Sequence, residues 1–133
     1  MKIYYGKAVY GKEEVQASLN VLKKKSLSLI DGPSVKKLEK LIAKTFGKKY
    51  GLMVNSGSSA NLLALASMEL KKGSEVITPT LTFSTTVAPI YQLGLKPHFI
   101  DVERNSFVAK IDQIKKAINK KTKAIMVPNL LGN

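Results

Sequence analysis

The alternation of short apolar runs with helical stretches after residue 49 constrains the fold more than any other feature. Four runs have the length and the polar, Gly or Pro boundaries of strands: residues 50–54, 75–78, 98–102 and 124–127. Three stretches between them have a helical pattern: residues 58–71, 85–93 and 111–119. This order predicts an α/β fold, a three-layer sandwich in which helices cover both faces of a mostly parallel sheet. In such sheets, ligands bind at the carboxyl ends of the strands.

Two helices are expected before the first strand. Acidic residues precede and lysines follow the apolar positions of residues 12–25, and Pro33 and Gly47 bracket a second helical pattern. Residues 1–48 therefore form an amino-terminal helical segment and residues 49–133 a series of βαβ units. We expect the two to belong to a single large domain that is incomplete, because the alternation stops after a strand without the next helix.

Composition excludes several classes of site. There is no cysteine and only one histidine, His98, so a metal cluster held by the protein is not expected. The net charge of +13 suggests nucleic-acid binding, but 21 of the 22 basic residues are lysines scattered along the chain, and Arg104 stands alone. We therefore expect no nucleic-acid partner. No apolar run is long enough for a membrane span or a signal peptide, which predicts a cytoplasmic protein.

The segment with the sharpest chemical pattern is the turn Ser56-Gly57-Ser58, between a predicted strand and a predicted helix. Unpaired N–H groups at a helix start carry partial positive charge and bind phosphates, and serine hydroxyls add further donors. Such turns are also common in α/β domains that bind nothing there. The residues alone leave both interpretations open.

A second candidate is Phe83, which stands among threonines after the second predicted strand. An exposed aromatic ring here would stack on a planar ligand. The alternative is a core phenylalanine flanked by helix-capping threonines. Both candidate segments follow strands, so we expect them at the same edge of the sheet.

Together these segments resemble the DegT family of sugar aminotransferases that depend on pyridoxal phosphate (PLP). The similar segments are residues 31–39, 55–65, 73–78, 98–102 and 122–128. The resemblance implies a fold-type-I PLP enzyme, a homodimer, that acts on a nucleotide sugar with an amino donor such as glutamate, in polysaccharide or deoxysugar biosynthesis. It also implies that Ser56, Gly57 and Ser58 hold the cofactor phosphate and that Phe83 stacks on its pyridine ring.

Two subgroups fit the resemblance. One transfers an amino group to a keto-sugar nucleotide; the other, the nucleotide-sugar 3-dehydrases, uses pyridoxamine phosphate, and Leu131-Gly132-Asn133 is similar to it. Ala88 departs from both, which commonly carry asparagine there. We favour the aminotransferase because it is the larger class, with the dehydrase as the alternative.

The resemblance places the Schiff-base lysine and the aspartate that faces the ring nitrogen downstream of Asn133. We therefore nominate no catalytic residue within the chain and expect weak or absent cofactor binding and no activity from residues 1–133 alone. A third possibility is a non-catalytic remnant that associates through its unpaired sheet edges.

Overall fold

A computed structural model describes residues 4, 6–24 and 29–133. The chain divides into two compact units, Met1–Met53 and Val54–Asn133. Among the described residues, no helix is both long enough and apolar enough to cross a membrane.

The first unit contains the two predicted helices, α1 (Lys12–Lys23) and α2 (Pro33–Thr45). The Glu14 carboxylate, in the first turn of α1, caps the start of this helix: the Gly11 N–H donates to Glu14 Oε2 at 2.7 Å. Helix α2 begins at Pro33, whose missing N–H would be unpaired at that position in any case, and ends before Gly47 in a left-handed conformation at φ 62°. Both predictions are confirmed, apart from residue 25, which lies outside the described residues.

The second unit alternates helices and strands. Its elements in chain order are α3 (Gly57–Ala66), β1 (Glu75–Pro79), α4 (Ser84–Gln92), β2 (Lys96–Ile100), α5 (Ile111–Ala117), β3 (Thr122–Ile125) and a 3₁₀ turn (Leu130–Gly132). The strands form a parallel sheet in the order β2-β1-β3. Three predicted strands and all three predicted helices of this region are therefore confirmed, with ends that differ by a few residues.

Helix α3 is shorter than the pattern of residues 58–71 predicts. The Ser67 hydroxyl donates to the Ala64 carbonyl at 2.8 Å, and Glu69 then takes a left-handed conformation at φ 47°. A residue in the left-handed conformation cannot continue a right-handed helix, so the helix ends before the apolar pattern of residues 58–71 does.

Successive residues of β1 place the core on both faces of the sheet. Val76 packs with Leu65 of α3 and Ile90 of α4. Ile77 packs with Ile100 of β2 and Ala117 of α5. Because neighbouring strand residues point to opposite faces, α3 and α4 cover one face and α5 the other. The predicted three-layer α/β arrangement is confirmed.

The predicted strand at residues 50–54 is wrong. These residues form no strand within the described chain, and Tyr50 and Leu52 are each 77% exposed. The Met53 N–H donates instead to the Glu39 side chain at 2.8 Å. An apolar run becomes a strand only beside another strand that pairs with its backbone, and β1 to β3 pair only with one another.

A polar cluster links the first residue of β1, the middle of β2 and the loop before β3. Asn119 Nδ2 donates to Glu75 Oε2 at 2.8 Å, and His98 Nδ1 lies 3.4 Å from the same oxygen. The Asn119 hydrogen bond, followed by the interactions with His98 and Lys121, lowers the pKa of the Glu75 carboxyl below its ordinary value. This cluster explains the single histidine as a structural partner of Glu75.

Glu75→Gln should reduce the dependence of stability on acid pH. A carboxylate whose pKa is lower in the folded than in the unfolded state stabilises the fold above the unfolded value, about 4.3, and this contribution is lost as pH falls through the folded pKa. Urea unfolding midpoints measured from neutral pH to about pH 3 should therefore fall more steeply for the wild type than for the variant. Parallel profiles would contradict this assignment.

Candidate phosphate-binding site

The two predicted site segments lie at the same edge of the sheet. Helix α3 covers the same face of the sheet as α4, the helix that follows β1. Helix α4 begins at Ser84, directly after the turn that leaves β1. A hydrogen bond of 3.2 Å from Asn61 Nδ2 of α3 to the Thr85 carbonyl of α4 joins the two segments.

Ser56 caps helix α3. Its backbone is extended, at φ −160° and ψ 159°, and its hydroxyl accepts from the Ser59 N–H at 3.1 Å while donating to the Ser59 hydroxyl at 3.2 Å. The Ala60 N–H donates to the Ser56 carbonyl at 3.0 Å. The hydroxyl of Ser56 is thus engaged in forming the turn.

The N–H groups of Gly57 and Ser58 remain without an acceptor within the described chain. They are the donors that a phosphate at a helix start requires. A Cβ added at Gly57 would meet no atom within 4 Å, so open space adjoins these groups. The Ser58 hydroxyl, on the first turn of the same helix, is a further available donor. The residues therefore fit a phosphate group.

Phe83 is 73% exposed, so the phenylalanine belongs to the surface and not to the core. Phe83 is the N-cap residue of α4, and its carbonyl accepts from the Thr86 N–H at 2.9 Å. The backbone is fixed by the helix start while the ring is free to contact a ligand. This exposure contradicts the core alternative, and stacking of Phe83 on a ligand stays a prediction.

Two threonine hydroxyls near Phe83 are buried without a hydrogen-bond partner among the described residues. They belong to Thr78, which is fully buried in β1, and to Thr82, which directly precedes Phe83. A buried hydroxyl without a partner is unfavourable, and most such groups in proteins are satisfied. Unused hydrogen-bonding capacity therefore remains at the carboxyl end of β1.

The site segments are electrically neutral. Residues 51–68 and 76–95 contain no charged side chain, so the net charge of +13 arises elsewhere in the chain. Within the described ranges, no three histidine or acidic side chains lie close enough together to hold a metal ion. Any phosphate bound here would be held by backbone N–H groups, hydroxyls and the helix dipole.

The Leu131-Gly132-Asn133 segment follows β3 in a short 3₁₀ turn, with Leu131 and Gly132 in left-handed conformations. Asn133 Nδ2 donates to the Ser106 carbonyl at 2.8 Å. Ser106 belongs to the turn after β2, where its hydroxyl and Lys110 both bind the Glu103 carboxylate. The segment therefore ties the chain after β3 to the chain after β2, a role that sequence reasoning missed.

Comparison with known proteins identifies the family. Residues 9–133 match the model of the DegT/DnrJ/EryC1/StrS aminotransferase family, which is nearly the whole chain. The chain belongs to this family. The family is PLP-dependent, and the resemblance inferred from the sequence is confirmed.

Two enzymes of known activity are similar in sequence to this family member. The GDP-4-keto-6-deoxy-D-mannose 3-dehydratase of Escherichia coli O55:H7 is 44% identical over 90% of the chain and 32% of the enzyme. The dTDP-4-dehydro-2,6-dideoxy-D-glucose 3-dehydratase of Saccharopolyspora spinosa is 43% identical over 80% of the chain and 25% of the enzyme.

A crystal structure of a GDP-4-keto-6-deoxymannose-3-dehydratase with a trapped PLP-glutamate geminal diamine superposes with a TM-score of 0.84. It is 38% identical over 93% of the chain and 33% of the dehydratase. The chain thus spans between a quarter and a third of the length of these relatives. Which residues contact the cofactor stays a prediction for Ser56, Gly57, Ser58 and Phe83.

Ser56→Ala should destabilise the protein by about 1 kcal/mol, because it removes an N-cap whose hydroxyl satisfies the Ser59 N–H. Ser56→Asp should retain most of the stability, since aspartate is an equally good cap. Urea unfolding of the three proteins provides the measurement. Equal stability of wild type and Ser56→Ala would show that the cap contributes nothing.

Proposed function

We propose that this chain is the part of a nucleotide-sugar 3-dehydratase that binds the cofactor phosphate. The unpaired N–H groups of Gly57 and Ser58 beside open space carry this proposal, together with similarity to two 3-dehydratases. The cofactor is PLP or pyridoxamine phosphate, which provides an aromatic ring that accepts electrons from the reacting carbon when bound.

Each residue of the site contributes a separate part of binding. Gly57 and Ser58 donate N–H groups to the phosphate, and the Ser58 hydroxyl donates a third hydrogen bond. Ser56 acts indirectly, because its hydroxyl holds the turn that presents those donors. Phe83 covers one face of the pyridine ring and excludes water from it.

The site segments would bind the cofactor phosphate without any titratable side chain. Backbone N–H groups cannot be deprotonated at neutral pH and cannot rearrange, so they hold a phosphate over a wide pH range. Gly57 and Ser58 would hold the phosphate of the cofactor, and Phe83 would contact its ring.

The similar enzymes favour the 3-dehydratase over the aminotransferase that the larger class suggested. Both relatives named above are 3-dehydratases and are 43–44% identical to the chain, whereas the similar aminotransferase structures are only 25–27% identical. The substrate that we propose is a nucleotide-linked 4-keto-deoxysugar. Its nucleotide stays open, since one relative takes a GDP sugar and the other a dTDP sugar.

The groups that act on the reacting carbon are proposed to lie outside residues 1–133. The chain covers at most a third of the compared enzymes, and its site segments contain neither a lysine nor a carboxylate. The complete protein is proposed to be a homodimer in the cytoplasm, as the family resemblance implies.

The protein expressed from its complete gene should remove the hydroxyl at carbon 3 of a nucleotide 4-keto-6-deoxysugar when pyridoxamine phosphate or PLP with glutamate is present. Mass spectrometry of the products distinguishes the two candidate activities, because the dehydratase yields a deoxysugar and the aminotransferase an amino sugar. Formation of a stable amino sugar alone would reject the dehydratase and support the aminotransferase.

Ser58→Ala should weaken PLP binding about tenfold, since it removes a hydrogen bond to a charged group. Phe83→Leu should weaken it roughly two- to tenfold through loss of ring stacking. Titration of the complete protein with PLP, followed by absorbance, gives the dissociation constants.

Two matched variants serve as controls. Ser67→Ala removes a serine hydroxyl at the opposite end of α3, and Tyr91→Leu removes an aromatic ring, 61% exposed, near the opposite end of α4. Both should bind PLP as the wild type does. Unchanged affinity in Ser58→Ala and Phe83→Leu would reject the assigned site, whereas absence of PLP binding by the wild type would favour a remnant without cofactor.

A further inference from the structure

Helix α4 contains a proline at a position that breaks its hydrogen-bonding pattern. The Thr85 carbonyl would normally accept from the N–H four residues later, but that residue is Pro89, which has no N–H. Pro89 is buried, so water cannot easily replace the missing donor in the helix interior. The carbonyl of Thr85 therefore requires a donor from another part of the molecule.

Asn61 supplies that donor from helix α3. Its Nδ2 lies 3.2 Å from the Thr85 oxygen, and the contact is half-buried. This is a side-chain hydrogen bond between the two helices that cover the same face of the sheet. The pair of Asn61 and Pro89 thus converts a defect of one helix into a link between two.

The link lies close to both halves of the candidate site. Asn61 is one helical turn after Gly57, and Thr85 lies on the first turn of α4, two residues after Phe83. The neighbouring Thr86 N–H donates to the Phe83 carbonyl. A displacement of the first turn of α4 would therefore move Phe83 relative to the N–H groups at the start of α3.

We propose that Asn61 is a positioning residue, which holds the Phe83 ring at a fixed distance from the phosphate-binding turn by donating to the carbonyl that Pro89 leaves unpaired. The inference rests on the proposed function, because it assigns Asn61 to binding of the same cofactor. A phosphate and a ring that a short linker joins in one ligand must be met by two protein segments at a limited range of separations. Asn61 fixes that arrangement before the ligand arrives.

A double-variant design separates positioning from simple satisfaction of the carbonyl. Pro89→Ala restores an N–H that reaches Thr85 within α4, so in this background the carbonyl no longer depends on Asn61. The informative comparison is therefore Pro89→Ala with Asn61→Leu/Pro89→Ala, using the protein from its complete gene. Both variants have a satisfied Thr85 carbonyl, and only the first has the link between helices.

Three quantities are measured: the midpoint of thermal unfolding, the dissociation constant of PLP by absorbance titration, and the circular dichroism of the bound cofactor. We expect the double variant to unfold close to Pro89→Ala, to bind PLP about three- to tenfold more weakly, as loss of one hydrogen bond predicts, and to show an altered dichroism band. Gln92→Leu, which removes an exposed amide at the end of α4, should bind PLP like the wild type.

Equal PLP affinity and dichroism in Pro89→Ala and the double variant would overturn the positioning role, even if Asn61→Leu alone is unstable. Failure of the wild-type protein to bind PLP or pyridoxamine phosphate would instead overturn the proposed function, and this inference with it. The two failures are therefore distinguishable.

Discussion

The structure of the second unit depends on strand β1, which is paired with parallel strands along both edges and covered by helices on both faces. Val76 and Ile77 are fully buried on opposite sides, so neither face can be exposed without loss of core. Parallel pairing also directs the carboxyl ends of all three strands to one edge of the sheet. The starts of α3 and α4 meet at that edge for the same reason, and the candidate site is a consequence of this topology.

At this edge the chain presents hydrogen-bond donors in place of charge. Ser56 uses its hydroxyl to form the turn, which leaves the N–H groups of Gly57 and Ser58 available. Lysines are numerous in the chain but are missing from the site segments themselves, so these segments offer an anion no charged side chain. Affinity would come from donors that are already oriented and from the partial charge of the helix start.

The proline of α4 shows how a local irregularity can have a function in tertiary structure. Pro89 removes one helical hydrogen bond and would weaken an isolated helix. In the folded unit, Asn61 of α3 replaces the lost donor, so the two helix starts are joined near the site. Within its own segment, each residue indicates only a lower helix propensity and gives no sign of the contact between the two helices.

The sequence by itself determined the alternation of elements, three of the strands, all five helices and the family, because periodicity, caps and turn residues are local properties. It also predicted that Ser56, Gly57, Ser58 and Phe83 lie at one edge of the sheet, although the strand expected before Ser56 does not form and the Phe83 ring was left undecided between core and surface. Only the tertiary structure decided that this ring is exposed, that residues 50–54 form no strand, and that Asn61 pairs with Thr85. Each of these depends on which segments become neighbours, and a strand partner, a covering side chain or a donor for an unpaired carbonyl comes from residues distant in the chain.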